Sequence, residues 1–538
     1  MRDPDSVSRK FLKYVFLVVF AFAASSGAVA ATFEQYQGMM QTDRFAKLRP
    51  SERATLAESL QALYSNDYAK SETIIRALIE TSPEIAEAWQ ILGLALANQD
   101  QFEDAVTALD KSAQLYTINS EPLIIKGDIL VEIGRFDEAR VAYETARERD
   151  PDNWRAPLNL AALAEKEGKW QQAFEVYKAS IDNIPNEAFE FRLNYVRLLL
   201  LAGNQGEAMM VIEPAAAHED ATEIVLNTAA RLHIDRGQDG DLIKARTYFL
   251  RMEDLGPSVT GAIGLAAIEQ SQGRNKKAEE LLKGAVERFP RVPSAYLALG
   301  NFLGSTKRYG EALDTYESGL QFAPDDPDLS RGASGAELRL GRTKDAVKRA
   351  RALTERPERT ASDLVWLASL LETEEGNRDE TRAAYAEAIE LQPDNWVALN
   401  NLASLVVDDD PEKALGLAQK AADIAPNSKN VQDTLGWAAL KAGDTAKAGA
   451  IFDELHKADP DNPVLTYRLA MVRLAEGDED EGRKLLETAL AADPDFRYAE
   501  NARAAAEKVT DLHVTSSLAV RPSGDFVNSL KDPVCDLP

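Results

Sequence analysis

The sequence predicts an all-α chain of about thirteen antiparallel helix pairs laid side by side, with one further helix closing the C-terminal end. Three observations carry this expectation. Small residues recur twelve positions apart, a proline stands twelve positions after the second of them, and the triplet returns at a 34-residue interval. Gly127, Ala139 and Pro151 form one such triplet; Ala161, Ala173 and Pro185 form the next. The same steps join Ala266, Ala278 and Pro290, then Gly300, Ala312 and Pro324. They recur at Gly436, Ala448 and Pro460, and at Ala470, Gly482 and Pro494. Weaker copies are Ser59, Ser71 and Pro83, and Ser369, Thr381 and Pro393; Gly93 with Ala105 lacks the proline.

Each position in the repeat has a physical task. A glycine inside a helix costs about 1 kcal/mol against alanine, so Gly436 needs a compensating gain, and close approach of a second helix supplies it. Gly443 and its counterparts Gly134, Gly168, Gly203, Gly273, Gly341 and Gly477 are placed to end the first helix of a pair. The proline then stops the second helix. Large side chains at Trp89, Tyr143, Tyr177, Tyr316, Tyr385 and Phe452 are expected to fill the space left between helices.

Counting units by the small residue of the first helix gives Ser59, Gly93, Gly127, Ala161, Val196, Ala230, Ala266, Gly300, Ser334, Ser369, Leu402, Gly436 and Ala470. Two units fit less well. The stretch 186–220 lacks its proline stop, and "RGQDGDLIKARTYFL" (236–250) carries extra residues between its helices, which loosens the register over 186–256. Residues 495–509 read as a capping helix, needed because the last unit of a stack otherwise exposes an apolar face. Residues 510–538, with Cys535, read as a flexible tail.

The small, small, proline signature at this period resembles the tetratricopeptide repeat family, and the resemblance covers residues 52–494. It implies a right-handed α-solenoid superhelix whose inner wall is lined by the first helix of each pair, and a role in binding proteins. The segments "NWVALNNLASLV" and "NVQDTLGWAALKAG" are similar to repeats of exported bacterial proteins from exopolysaccharide and exosortase-associated systems.

Composition excludes other classes. A formal charge of −27 over 538 residues opposes nucleic-acid binding, which relies on Lys and Arg displacing counterions. One cysteine leaves no internal disulfide and no CxxC pair. The four histidines, His218, His233, His456 and His513, lack ligand spacing and are expected at the surface or half-buried. Phosphate-loop, dinucleotide and nucleophile-elbow motifs are missing, and the repeats leave no stretch for a catalytic domain. The expectation is a chain that is not an enzyme, with no cofactor and no metal. Acidic runs such as 408–410 and 478–481 sit in turns, where carboxylates cap helices.

Residues 1–30 read as a signal peptide: basic residues precede the apolar run "YVFLVVFAFAA", and "AVAA" suits cleavage after Ala30. Residues 31–51 then form a lead segment. The expected location is the periplasm, the alternative an uncleaved anchor in the inner membrane. The function expected is a protein-binding scaffold of the bacterial envelope that supports exopolysaccharide synthesis or export. A periplasmic assembly factor and an inner-membrane-tethered adaptor are the alternatives.

For the binding groove, asparagines on the first helices are the candidates. Asn159 precedes Ala161 by two residues, and Asn194 precedes Val196 likewise. Asn400 holds that place relative to Leu402, and Asn227 is drawn into the set by the register of its irregular unit. An amide offers a donor and an acceptor, so a ladder of them would pair with the backbone of an extended peptide. Arg155, one turn before Asn159, would add a carboxylate contact.

Overall fold

The computed structural model describes residues 47–373 and 377–516. The expected signal peptide with its cleavage site, most of the lead segment, and residues 517–538 of the expected tail, with Cys535, lie outside the described residues; residues 510–516, expected in the tail, instead continue the last helix. Within these there are 27 helices and no strand.

The chain divides into two compact units at residues 281 and 282. In the first, α1 (Pro50–Tyr64) pairs with α2 (Tyr68–Thr81), α3 (Ala86–Ala97) with α4 (Phe102–Leu115), and α5 (Glu121–Glu132) with α6 (Phe136–Arg149). The series continues with α7 (Arg155–Lys166) and α8 (Trp170–Ser180), α9 (Phe189–Leu201) and α10 (Gln205–Ala217), then α11 (Glu223–Arg236) and α12 (Asp241–Leu255). Next come α13 (Val259–Ser271) and α14 (Asn275–Arg288), and the division falls inside α14.

The second unit pairs α15 (Pro293–Ser305) with α16 (Tyr309–Leu320), α17 (Pro327–Arg339) with α18 (Thr343–Thr354), and α19 (Ala361–Leu371) with α20 (Arg378–Leu391). It continues through α21 (Trp396–Val406) and α22 (Pro411–Ile424), α23 (Lys429–Lys441) and α24 (Thr445–Ala458), and α25 (Pro463–Glu476) and α26 (Glu479–Ala492). The helix α27 (Ala499–Ser516) packs on α26 as a cap. Each unit is an α-solenoid.

Small residues do let the paired helices meet. A β-carbon on Gly436 would stand 2.8 Å from the Phe452 ring, and one on Gly93 would stand 2.7 Å from Leu109. Where serines replace glycine and alanine, they hydrogen-bond across the same contact: Ser59 Oγ lies 2.9 Å from Ser71 Oγ, both fully buried. The turn after α23 shows how one short link closes and opens helices. Gly443 has φ +88°, the Asp444 N–H donates to the Ala439 carbonyl at 2.9 Å, and the Asp444 carboxylate then accepts from the Lys447 N–H as an N-cap. All seven glycines expected to end first helices have positive φ. Asn66, Asp100 and Lys307 take that conformation in other turns without being glycine.

Two registers differ from the expectation. On α19 the fully buried small residue is Ala368 rather than Ser369, and on α21 Ala403 follows Leu402 into the core. The small residues of the following helices, Thr381 and Ala414, stand thirteen and eleven positions beyond Ala368 and Ala403 instead of twelve, which misaligns a count made in steps of twelve. The irregular stretch resolves as a link between α11 and α12 in which Gly237 and Gly240 both have positive φ.

First helices also pack on first helices: α1 on α3, α3 on α5 and α5 on α7, and in the second unit α15 on α17, α21 on α23 and α23 on α25. The second helices do not approach their counterparts this closely. Each unit therefore curves toward its first helices, whose outer residues line the concave side.

Candidate binding groove

In the first unit the groove is organised around Asp128, the residue after the close-packed Gly127. Tyr143, sixteen residues on, is almost fully buried on α6, and its hydroxyl donates to Asp128 Oδ1 at 2.7 Å. Asn159, on the next first helix, donates its Nδ2 to the same oxygen at 2.6 Å. The Arg155 Nη2 lies 3.9 Å from Asp128 Oδ2, while Nη1 donates to Glu121 Oε2 at 2.5 Å. Burial pushes the Asp128 carboxyl up to about 6, against the downward pull of Tyr143, Arg155 and Asn159. A quarter of the side chain still reaches solvent. Farther along, burial raises the Glu190 carboxyl, with Arg155 opposing it, and burial lowers Arg231 and raises Asp235. Arg197 reaches back to Glu165 at 2.5 Å across the same repeat boundary.

The candidate asparagines fall into different settings. Asn159 and Asn194 lie on successive first helices and are half-buried. Asn194 donates to the Glu190 carbonyl of its own helix at 3.0 Å, and its Oδ1 has no hydrogen bond among the described residues. Asn227 sits three residues before the buried Ala230, so Thr228 occupies the place that Asn159 holds before Ala161. Its Oδ1 accepts from Arg231 Nε at 3.2 Å. In the second unit the counterpart of Asn159 is Asn401, not Asn400. Asn401 donates to the Tyr385 hydroxyl at 3.0 Å, across the same sixteen-residue spacing that separates Asn159 from Tyr143 but without an intervening carboxylate, and Asn400 is buried beside it, donating to Asn401 Oδ1 at 3.1 Å. The set is thus no continuous ladder, and Arg155 is already engaged by two carboxylates.

Asp128, Tyr143 and Asn401 were not among the sequence candidates, although a signal for the first two exists. A tyrosine sixteen residues after the small residue, with a polar residue directly after that small one, marks both Gly127 with Asp128 and Tyr143, and Gly300 with Asn301 and Tyr316. The Tyr316 hydroxyl donates to Asn301 Oδ1 at 2.7 Å.

The second unit holds a further cluster. The Arg468 guanidinium stacks 3.9 Å over the Trp437 ring and 4.6 Å over Tyr498, and its Nη2 donates to the Tyr498 hydroxyl at 3.0 Å. Lys441 lies over the other part of this cluster, 5.3 Å from the Trp437 centroid and 3.0 Å from Asp408.

Histidine placement corrects the expectation at one position. His233 is completely buried, with Nδ1 2.7 Å from Asp241 and Nε2 hydrogen-bonded to Glu213. Arg236 holds the Asp241 carboxyl well below the usual carboxylate range. These contacts tie α10, α11 and α12 together where the link is irregular. Glu269 on α13 is likewise buried; Arg274 and Arg246 lower its carboxyl to about 2. Among the described residues no group of histidine, cysteine and carboxylate side chains is arranged to hold a metal. No described helix is long and apolar enough to cross a membrane.

Comparison with known proteins agrees with this architecture. Family models described as "Tetratricopeptide repeat" match residues 126–188, 263–327 and 439–506, and one described as "Tetratricopeptide repeat-like domain" matches residues 20–156. The chain is 24% identical over 251 residues to the TPR repeat-containing protein YpiA of Bacillus subtilis, covering 46% of this chain and 58% of that protein. It is 23% identical over 475 residues to cellulose synthase operon protein C of Pseudomonas fluorescens, covering 84% of this chain and 34% of that protein. The matched region therefore spans between a third and three fifths of these relatives' lengths. Among solved structures it is similar to the APC/C hetero-tetramer Cut9-Hcn1, at 14% identity and a TM-score of 0.38 over 86% of this chain and 98% of that one.

Proposed function

Because the chain carries tetratricopeptide repeats, we propose that it is a non-catalytic scaffold of the bacterial cell envelope that holds protein segments against its first-helix face in support of exopolysaccharide synthesis or export. The observation that carries the binding role is the polar set on that face, Asp128, Arg155, Asn159 and Asn194, placed where α5, α7 and α9 follow one another. Asn194 Oδ1 is an acceptor without a partner among the described residues, and Asn227 Nδ2 a donor in the same condition. An extended backbone supplies the complementary groups. The similarity to cellulose synthase operon protein C, which runs along 84% of this chain, supports the envelope-polysaccharide setting.

The test is deletion of the gene in the cells that make this protein, with secreted polysaccharide measured. Loss of secreted polymer, restored by the wild-type chain and restored less by a chain carrying Asn194→Arg, is the expected result. Unchanged polymer with a defect in outer-membrane protein assembly would replace this reading by the assembly-factor one.

A further inference from the structure

The second unit contains a cleft of about 490 Å³ on its first-helix side, bounded by α15, α16, α17 and α19. Asn301, Tyr316, Gly332, Gly335, Arg339 and Trp366 line it. Its two α17 glycines have different reasons to be there. A β-carbon at Gly332 would stand 2.6 Å from the Tyr316 ring, so packing demands glycine. A β-carbon at Gly335 would meet nothing within 4 Å, and its backbone is ordinary helix. Glycine in a helix interior costs about 1 kcal/mol against alanine, and at Gly335 no contact within the chain offsets that cost. Its effect is to leave the cleft open.

Beside the Glu372 carboxylate, which also lines the cleft, stand donors with unspent capacity. Arg339 is exposed and makes no ion pair or hydrogen bond among the described residues, in a chain whose formal charge is −27. Arg331, also at the cleft, differs in being paired with Asp328 and with Asp363 at 3.2 Å. Asn301 accepts from Tyr316 through Oδ1, and its Nδ2 has no partner among the described residues. The Trp366 indole N–H donates to Ser334 Oγ at 3.0 Å, which fixes the ring. Ser369 and Thr373 give their hydroxyl protons to carbonyls of their own helix. The cleft thus combines fixed aromatic surface with free donors.

We propose that this cleft takes a bulky apolar side chain of an extended peptide segment, with the carboxylate of an adjacent acidic side chain on Arg339. The proposal rests on the scaffold reading and names one of its contact points. The half-buried Trp366 ring offers aromatic surface to an apolar side chain, the buried Tyr316 closes the floor, and Gly335 leaves the depth for it. A carboxylate satisfies the fork of guanidinium donors.

The probe is a fluorescein-labelled nonapeptide with both termini blocked, carrying one phenylalanine followed by one aspartate in a glycine–serine background. Fluorescence polarisation with the full-length chain should give saturable binding. Replacing the probe's phenylalanine by alanine, or its aspartate by asparagine, should weaken binding about tenfold or more, as expected for a buried anchor and a truncated charge pair. In the protein, Gly335→Leu should weaken binding at least as much, without lowering the melting temperature, because the new side chain enters open space. Arg339→Glu should abolish binding, and Arg339→Lys should retain most of it. Absence of saturable binding, or binding indifferent to Gly335→Leu, would overturn the proposal. So would tighter, Arg339-dependent binding of trigalacturonate, which would assign the cleft to an acidic saccharide. If Gly335→Leu leaves probe binding unchanged while deletion of the gene still abolishes polymer secretion, the cleft proposal fails and the scaffold reading stands.

Discussion

Asn159 Nδ2 lies 2.6 Å from Asp128 Oδ1, so the amide best placed to meet a partner is first a tie between two successive repeats. A hydrogen bond to an ionised acceptor contributes about 1.5 to 3 kcal/mol when both partners are well buried; the half-exposed position lowers this. Asn159→Ala should therefore destabilise the first unit by about 1 kcal/mol, and Asn194→Ala, which loses only a bond to its own helix, should cost less. Urea unfolding of the two variants separates these cases. Equal, negligible effects would mean that the Asp128 contact carries no stability.

The Asp128 carboxyl sets a pH dependence whose sign follows from its raised value. Burial pushes it to about 6, above the ordinary carboxylate value near 3.8. Between these two values the folded chain holds a proton that the unfolded chain has released, so the contribution of this group to stability is full below about 4 and is lost as pH rises through about 6. Asp128→Asn should flatten the fall in the first unit's urea midpoint between those pH values. Carbon-13 NMR of the Asp128 carboxyl should show a midpoint near 6; a midpoint near 4 would contradict the buried setting.

Gly436→Leu places a side chain where even a β-carbon stands 2.8 Å from Phe452. Overpacking of this kind costs about 1 to 3 kcal/mol. In a stack the damage should concentrate in α23, α24 and the adjoining helices, read by hydrogen exchange. Faster exchange spread evenly over the whole chain would contradict nearest-neighbour stabilisation.

His233→Ala removes the buried ring that contacts both Asp241 and Glu213. Breaking a buried charged contact from one side costs about 3 kcal/mol or more, and the loss should appear as raised exchange in α10, α11 and α12. His233→Gln keeps a donor for one carboxylate and should recover part of it. No change in either variant would show that the cluster does not secure the irregular link.

The helix pairs were legible in the sequence because close helix contact demands small residues, and a period of 34 repeats that demand. Gly127, Gly300 and Gly436 each face an aromatic ring from the second helix. Register was less legible where the spacing between paired small residues departs from twelve: counting back from Thr381 and Ala414 placed Ser369 and Leu402 at positions that Ala368 and Ala403 hold. That one-residue slip turned attention to Asn400 when Asn401 makes the tyrosine contact. Burial of His233 was hidden for a different reason, because its partners Glu213 and Asp241 belong to two other helices and follow no fixed spacing. The polar groove was half legible. Asn159 and Asn194 share a helix position, but Asp128 draws its meaning from Tyr143 and Asn159, which only the packing of α5, α6 and α7 brings together.

The central claim is that partners are held on the first-helix face, and site-specific photo-crosslinking in the cells that make this protein tests it most directly. A benzophenone side chain is placed at Asn194 on α9 or at Val141, which is exposed on the second helix α6. Discrete protein crosslinks from position 194 that are missing from position 141, and that fade when Arg155 is replaced by alanine, are the predicted result. Discrete crosslinks from position 141 with none from position 194 would place the partner on the opposite face and contradict the account.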